Sequence, residues 1–208
     1  VFTKHFKPMV IGTFIMVATY SLFYIMTAFA QAYSRTPATL SEAGYPMGLG
    51  IPANTFTGLL LMSAIVFAIF ISISGLYADK IGRRKWLIWT TVSILIFALC
   101  MPLFLGNGTP ASVFAFLVIG MALMGMTFGP MAALLPELFP TEVRYSGASL
   151  AYNIASIIGA TIAAMISLKI NALYGLMGVG IYLAINAFLT LLALLASKET
   201  KNVDLTQI

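Results

Sequence analysis

Two sets of residues in this chain carry side chains able to do more than pack. The first is charged and opens with Gly75-Leu76-Tyr77-Ala78-Asp79-Lys80-Ile81-Gly82-Arg83-Arg84-Lys85. Here Asp79 can accept hydrogen bonds from Arg83 or from a neighbouring helix N-terminus, Gly75 permits close helix approach, and Gly82 permits a tight turn. The set continues in Pro136-Glu137-Leu138-Phe139-Pro140-Thr141-Glu142-Val143-Arg144-Tyr145-Ser146-Gly147-Ala148-Ser149. Thr141 is placed as an N-cap with Glu142 in the first turn, where the helix dipole favours negative charge. Glu137, Glu142 and Arg144 then complete a charge cluster with Asp79 and Arg83, able to join elements through charge-assisted hydrogen bonds. Two plainer readings stay open: a short loop whose cations bind lipid headgroups, and ordinary helix capping and solubility.

The second set is neutral. Thr13, Tyr20, Tyr24, Thr27 and Gln31 recur at intervals of seven, four, three and four, which places them on one helix face. In lipid such a stripe needs either interhelical partners or a water-filled cavity. Met121, Met124, Thr127, Phe128 and Met131 share helical spacing, with Gly125 and Gly129 between them and Pro130 beside. Methionine and phenylalanine there are packing residues or ligand contacts, and the glycines permit a bend. Tyr145, Ser149, Tyr152 and Ser156, joined by Asn153, form a polar face beside a small-residue ridge of Ala151, Ala155, Gly159 and Ala163. Asn186 stands alone and reads as an interhelical hydrogen bond.

Catalysis finds no footing here, since no nucleophile, base and orienting group can be proposed together. Cys100 is the single cysteine and His5 the single histidine, so neither a disulfide nor a multi-cysteine metal site is expected. No metal and no cofactor is anticipated.

The elements that must position these groups follow from composition. Of the residues, 61% are hydrophobic and 8% charged, with a mean hydropathy of +1.00, against roughly 25% charged in a soluble domain. A water-exposed surface cannot be built from so few charges, which predicts an all-α integral membrane protein. Six apolar segments are long enough to cross: about 8–33, 54–77, 86–106, 111–135, 145–168 and 173–196, between a leader at 1–7 and a tail at 197–208. Gly106 to Pro110 reads as a tight turn, Pro136 and Pro140 close the fourth span, and Lys169 to Asn171 separates the last two. Lys169, near a span end, snorkels.

Alternation of the spans puts Lys4, Lys7, Lys80, Arg83, Arg84, Lys85, Arg144, Lys198 and Lys201 on one side, with Arg35 and Lys169 on the other. The positive-inside rule makes the first side cytoplasmic, so both termini are expected inside and the Gly- and Pro-rich connection 34–53 outside. Tyr33, Tyr45, Trp86, Tyr145 and Tyr174 fall near span ends, where amphipathic rings favour the interface. The net charge of +5 sits in clusters suited to anionic headgroups, not to nucleic acid. The first residue is Val1 and no cleavable signal precedes the first span, so the start reads as a cut in a longer chain.

The arrangement Gly75-x-x-x-Asp79-x-x-Gly82-Arg83-Arg84 resembles the loop signature of the major facilitator superfamily. The stretch Pro136 to Ser149 is similar to that of its metabolite:proton symporter family, which includes proline/betaine and shikimate transporters. The resemblance runs from Gly12-Thr13-Phe14-Ile15-Met16 to Glu199-Thr200 and aligns the chain with spans seven to twelve of a twelve-span protein. It implies the six-helix carboxy-terminal half of that fold in a bacterial inner membrane, partnered by an amino-terminal half or a second copy. The implied activity is proton-coupled symport of a small polar metabolite, such as an organic acid or zwitterion, by alternating access.

In the superfamily the acidic residue and the arginines of this loop latch the cytoplasmic side, which implies that role for Asp79, Arg83 and Arg84, with Gly75, Gly82, Glu137, Glu142 and Arg144 in the same gate. The first and fourth spans of each half line the path, which implies a substrate pathway of Thr13, Tyr20, Tyr24, Thr27, Gln31, Met124 and Thr127, to which the polar face of the fifth span adds Tyr152 and Asn153. No Asp, Glu, Lys or Arg lies at the middle of a span, so the titrating group is expected in the other half. An alternative of another class is a membrane interaction or assembly protein that moves no solute; a passive pore lacks a charge ring or filter-like motif.

Overall fold

In the computed structural model, which describes residues 5–159, 163–197 and 199, the chain is a bundle of α-helices. Lys4, Lys198, Lys201, Thr200 and most of the expected tail lie outside the described residues. At its centre stands a continuous run, Phe6–Arg35, made of α1 (Phe6–Tyr24), a π-turn (Ile25–Phe29) and α2 (Ala30–Arg35). Ile15, Val17, Leu22, Ile25 and Met26 are almost wholly enclosed, because the other helices wrap this one.

The α3 helix (Ala53–Ile81) does the opposite. It buries Phe56, Ser63, Ser74 and Ala78 along one narrow face and turns Leu61, Ile65, Ile69, Ile73 and Leu76 outward. Met177, Ile181, Ile185, Phe188, Leu192 and Leu195 make a second outward stripe. Apolar stripes of this length are unstable in water and comfortable in lipid. Phe6–Arg35, Ala53–Ile81, Pro110–Glu137 and Met165–Ala196 are each long and apolar enough to cross a membrane.

Backbone chemistry sets the breaks. The turn between α3 and α4 (Arg83–Leu99) is Gly82 alone, at φ +109°, a conformation that favours glycine. The third expected span is divided at Cys100, after which α5 (Met101–Leu105) carries Pro102 in its first turn, where it has no N–H to extend the preceding helix. Thr109 caps α6 (Pro110–Glu137) by accepting from Ser112 N at 3.2 Å, and Pro110 takes the first helical position, where its missing N–H costs nothing. Next come α7 (Arg144–Ile157) and α8 (Ala163–Ala196).

Three local expectations are corrected. Lys169 to Asn171 do not separate the last two spans: helix runs through them to Gly175, whose φ of 69° and ψ of −172° break α8 into 163–174 and 176–196. Lys169 therefore sits inside the fifth span's helix. Thr141 is not an N-cap; α7 starts at Arg144, after Val143, with no side-chain cap. Tyr33 stands near the end of α2 as expected, but its ring is enclosed rather than open to the surroundings, 1% exposed and stacked on Phe29 at 5.7 Å.

Small residues set the interhelical distances. A side chain on Gly129 would meet Ile71 O at 2.6 Å and Gly75 N at 2.9 Å, and one on Gly125 would meet Phe67 O at 2.7 Å, so α6 lies against the backbone of α3. The ridge expected on the fifth span packs likewise: Ala151 faces Gly12, Gly159 abuts Tyr20, and Ala155 and Ala163 are fully buried. The connection 36–52 folds back on itself, with Met47 N donating to Thr39 O at 2.8 Å and Ile51 N to Ser34 O at 2.7 Å. Asn171 ties it down, its Nδ2 donating to Pro46 O at 2.9 Å.

Candidate functional site

The charged residues gather at the end of the bundle where α3 meets α4 and α6 ends. Arg83 is the hub: its Nε and Nη2 donate to Asp79 Oδ1 at 3.3 and 3.2 Å, and its Nη1 bonds Glu137 Oε1. The hydrogen bond that Arg83 donates to Glu137, with the charge of that carboxylate and the bond to and charge of Asp79, holds the guanidinium pKa above its ordinary value against a partial loss of solvent. Asp79 is 64% exposed, whereas Glu137 is 11% exposed. The second oxygen of Glu137, Oε2, is buried with no hydrogen-bond partner among the described residues.

The remaining charges are placed differently. Arg84 turns away and caps α8, its Nε donating to Leu194 O at 2.7 Å and its Nη2 to Leu195 O at 2.9 Å; a cation there satisfies orphan carbonyls and the helix dipole. Arg144 braces its own turn, donating to Phe139 O and to Thr141 Oγ1, both at 3.3 Å. Glu142 is exposed. The side-chain direction of Gly75 opens onto space, and the close approach there is made by Gly129 from the other helix.

Beside this end lies a cleft of about 590 Å³ between α1, α6 and α7. Met16, Phe128, Met131 and Leu135 make its apolar wall; Arg144, Tyr145, Ser149 and Tyr152 make the polar one. Tyr145, Ser149 and Tyr152 recur at four- and three-residue steps, so one face of α7 borders the cleft, with Arg144 beside it at the helix start, and most of the surface lining the space is apolar. Pro136 also lines the cleft and offers no N–H to the carbonyl of Ala132, another lining residue. Such a cleft suits a solute with both apolar and polar parts.

Among the neutral pathway residues, Tyr24, Thr27 and Gln31 are half-buried, and the Thr27 hydroxyl donates to Phe23 O at 2.7 Å. They straddle the π-turn, a departure from α-geometry frequent at functional sites. Tyr20 is 6% exposed and meets the Tyr152 ring edge-on at 5.4 Å; its hydroxyl is buried without a hydrogen-bond partner among the described residues. Asn153 is exposed and donates to Ser149 O at 2.8 Å. Thr13, Met124 and Thr127 are buried, the last donating to Met124 O at 2.7 Å. Tyr152 and Arg144 line the cleft; Met16 was not among the expected pathway residues, and only its place one turn before Tyr20 hinted at it.

The buried polar contacts between helices hold the frame. Asn186 Nδ2 donates to Ser21 Oγ at 3.0 Å, the bond expected of it, and Ser74 Oγ donates to Gly125 O at 3.0 Å. Trp86 Nε1 donates to Met126 O at 2.9 Å, the carbonyl that Pro130, four residues on, cannot serve.

Residues 46–208 match the sugar (and other) transporter family. Over its whole length the chain is 86% identical to a Haemophilus influenzae protein named "Putative metabolite transport protein", of which it covers 48%. It is 52% identical to the inner membrane metabolite transport protein YhjE of Escherichia coli, over 98% of this chain and 45% of that one. The proline/betaine transporter of Salmonella typhimurium is 27% identical over 96% of this chain and 38% of its own. The chain thus spans about half the length of the curated relatives it matches. No solved structure matches it.

Proposed function

This chain belongs to the sugar (and other) transporter family, within the major facilitator superfamily, and from that premise we propose that it works as the carboxy-terminal six-helix half of a secondary transporter. The observation that carries the reading is the cleft between α1, α6 and α7, with its apolar wall and its polar face of Arg144, Tyr145, Ser149 and Tyr152. The solute is a small polar metabolite, an organic acid or a zwitterion. A carboxylate suits the Arg144 guanidinium, and a relative is named for proline and betaine, both zwitterions. Tyr24 and Gln31, half-buried further along the central run and away from the cleft, supply neutral hydrogen-bonding groups to the continuation of the path.

Alternating access would rock this bundle against its partner half about a site near the midplane. Asp79 and Glu137 are both held by Arg83, and the exposed Asp79 carboxylate is the latch acceptor for that half, with the buried Glu137 fixing Arg83 from behind. Arg84, committed to the end of α8, acts as a brace rather than a latch. The basic end faces the cytoplasm of a bacterial cell, with both termini inside. Protons drive the uptake, and the group that titrates belongs to the other half.

The test is uptake of radiolabelled proline, betaine and shikimate by proteoliposomes holding the intact two-half protein under an imposed proton gradient. Accumulation of one of them that collapses with a protonophore, and that weakens in Tyr24→Phe and Gln31→Ala at unchanged membrane abundance, is the expected result. Unchanged kinetics in both variants would remove the pathway assignment.

A further inference from the structure

A hydroxyl on α8 bonds both the donor and the acceptor of one backbone rung of the central helix. Ala18 N donates to Thr190 Oγ1 at 3.1 Å, and Thr190 Oγ1 donates to Phe14 O at 2.6 Å. In an unperturbed α-helix, Ala18 N and Phe14 O would pair with each other directly. Thr190, 1% exposed on α8, thus bridges the donor and acceptor of one rung of α1. One turn earlier on α8, Asn186 holds Ser21 at 3.0 Å, so the contact has a fixed point next to it.

Geometry gives the insertion a direction. A group wedged into the ladder lengthens the side of the helix it enters and bends the ends away from it. Before Phe14 a surface groove of about 260 Å³ runs between α1 and α8, lined by Val10, Ile11, Phe14, Leu189, Leu192 and Ala193. The groove is room into which that arm can swing. The hydroxyl also has a second acceptor within reach of a rotamer change, the carbonyl of Asn186 four residues back, the usual alternative for a helical threonine. The rung therefore has two satisfied arrangements, one bridged by Thr190 and one closed on itself. Downstream of it, α1 carries Tyr20 and Tyr24 and leads into the π-turn before Gln31.

We propose that Thr190 is a reversible hinge pin: its hydroxyl holds α1 bent at Phe14–Ala18, and its withdrawal straightens the helix and re-aims the row from Tyr20 to Gln31. The functional meaning of that re-aiming rests on the transport reading above; the hinge itself does not. Thr190 is a positioning residue and touches no solute.

The test uses the intact two-half protein in lipid nanodiscs, in a cysteine-free background that includes Cys100→Ser. Spin labels at Lys7 and Leu195 report the approach of the α1 arm to α8. Lys7 lies seven residues from Phe14, roughly 10 Å, so closing a kink of about 20° moves it by about 3–4 Å. Thr190→Val, which keeps the shape and removes the hydroxyl, is expected to shorten the label distance by about that amount; Thr190→Ser is expected to keep the parent distance. As a second readout, Gln31→Cys should change its rate of reaction with a charged maleimide at least threefold in Thr190→Val and stay as in the parent in Thr190→Ser. An unchanged distance in Thr190→Val overturns the hinge, and so does a Thr190→Ser variant that moves as far as the valine. A shifted distance with an unchanged Gln31→Cys rate overturns the positioning role. Because neither readout needs transport, a failure of the uptake experiment leaves the hinge untouched, and a failure of the hinge leaves transport untouched.

Discussion

Alanine at Gly129 puts a methyl group into space that the second helix already occupies. Built on the present backbone, that carbon would lie 2.6 Å from Ile71 O and 2.9 Å from Gly75 N, and would strike Ser74 Oγ as well. Two of the three obstacles are main chain, so no rotamer change clears them. An ordinary contact is about 3.4 Å, so α3 must retreat by roughly 0.8 Å, losing dispersion along the whole seam. Overpacking of this kind costs about 1–3 kcal/mol. The same retreat strains the bond from Ser74 Oγ to Gly125 O, 3.0 Å long, worth about 0.6 kcal/mol in a bilayer setting. Against these stands a helix-propensity gain of about 1 kcal/mol for replacing glycine.

The net expectation is a loss of about 1–2 kcal/mol for Gly129→Ala. Gly75 on the facing helix supplies the control, since a side chain there meets nothing within 4 Å. Gly75→Ala should be neutral or stabilise by up to about 1 kcal/mol. Reversible unfolding of the chain in mixed micelles measures both, followed in a Trp89→Phe background by the fluorescence of Trp86, which bonds Met126 O on α6 and stacks on Tyr77 of α3 at 5.9 Å. If Gly129→Ala were as stable as Gly75→Ala, the α3–α6 seam would not be the close backbone contact described.

Trp86→Phe removes the one donor described for Met126 O and should cost about 1–3 kcal/mol. Adding Pro130→Ala restores a helical donor, so a double-mutant cycle should show the pair recovering most of that loss; simple additivity would exclude the substitution of indole for the missing proline N–H. Arg84→Gln deletes two bonds to the last turn of α8 and should raise amide hydrogen exchange at the end of that helix, with Arg84→Lys intermediate because ammonium lacks the fork. Exchange unchanged at Leu194 to Ser197 would remove Arg84 from its bracing role.

Particular residues show how far linear reading reached. The helical runs and the charged end were legible because hydropathy and charge are properties of consecutive residues, and the pairing of Asp79 with Arg83 needs only a spacing of four. Glu137 joining them was readable only as a shared side of the membrane. The break at Gly175 was hidden behind Lys169 and Asn171, whose polarity looked like a loop although both residues are tolerated in a helix. Gly175 is required by a positive φ and by the Tyr45 ring, which would stand 2.6 Å from any side chain there, and the ring comes from the distant 36–52 connection.

The amino-acid sequence by itself determined that this protein is a bundle of lipid-spanning helices with most of its basic residues collected at one end, since a chain this apolar has no other way to satisfy its backbone in a bilayer. Only the tertiary structure decided which carbonyl meets which distant donor: Arg84 on the end of α8, Trp86 on the carbonyl left by Pro130, Thr190 in the ladder of α1. The reason is physical: an unserved backbone group inside lipid accepts whichever partner packing brings within about 3 Å, and that choice belongs to the arrangement of helices, not to the spacing along any one of them.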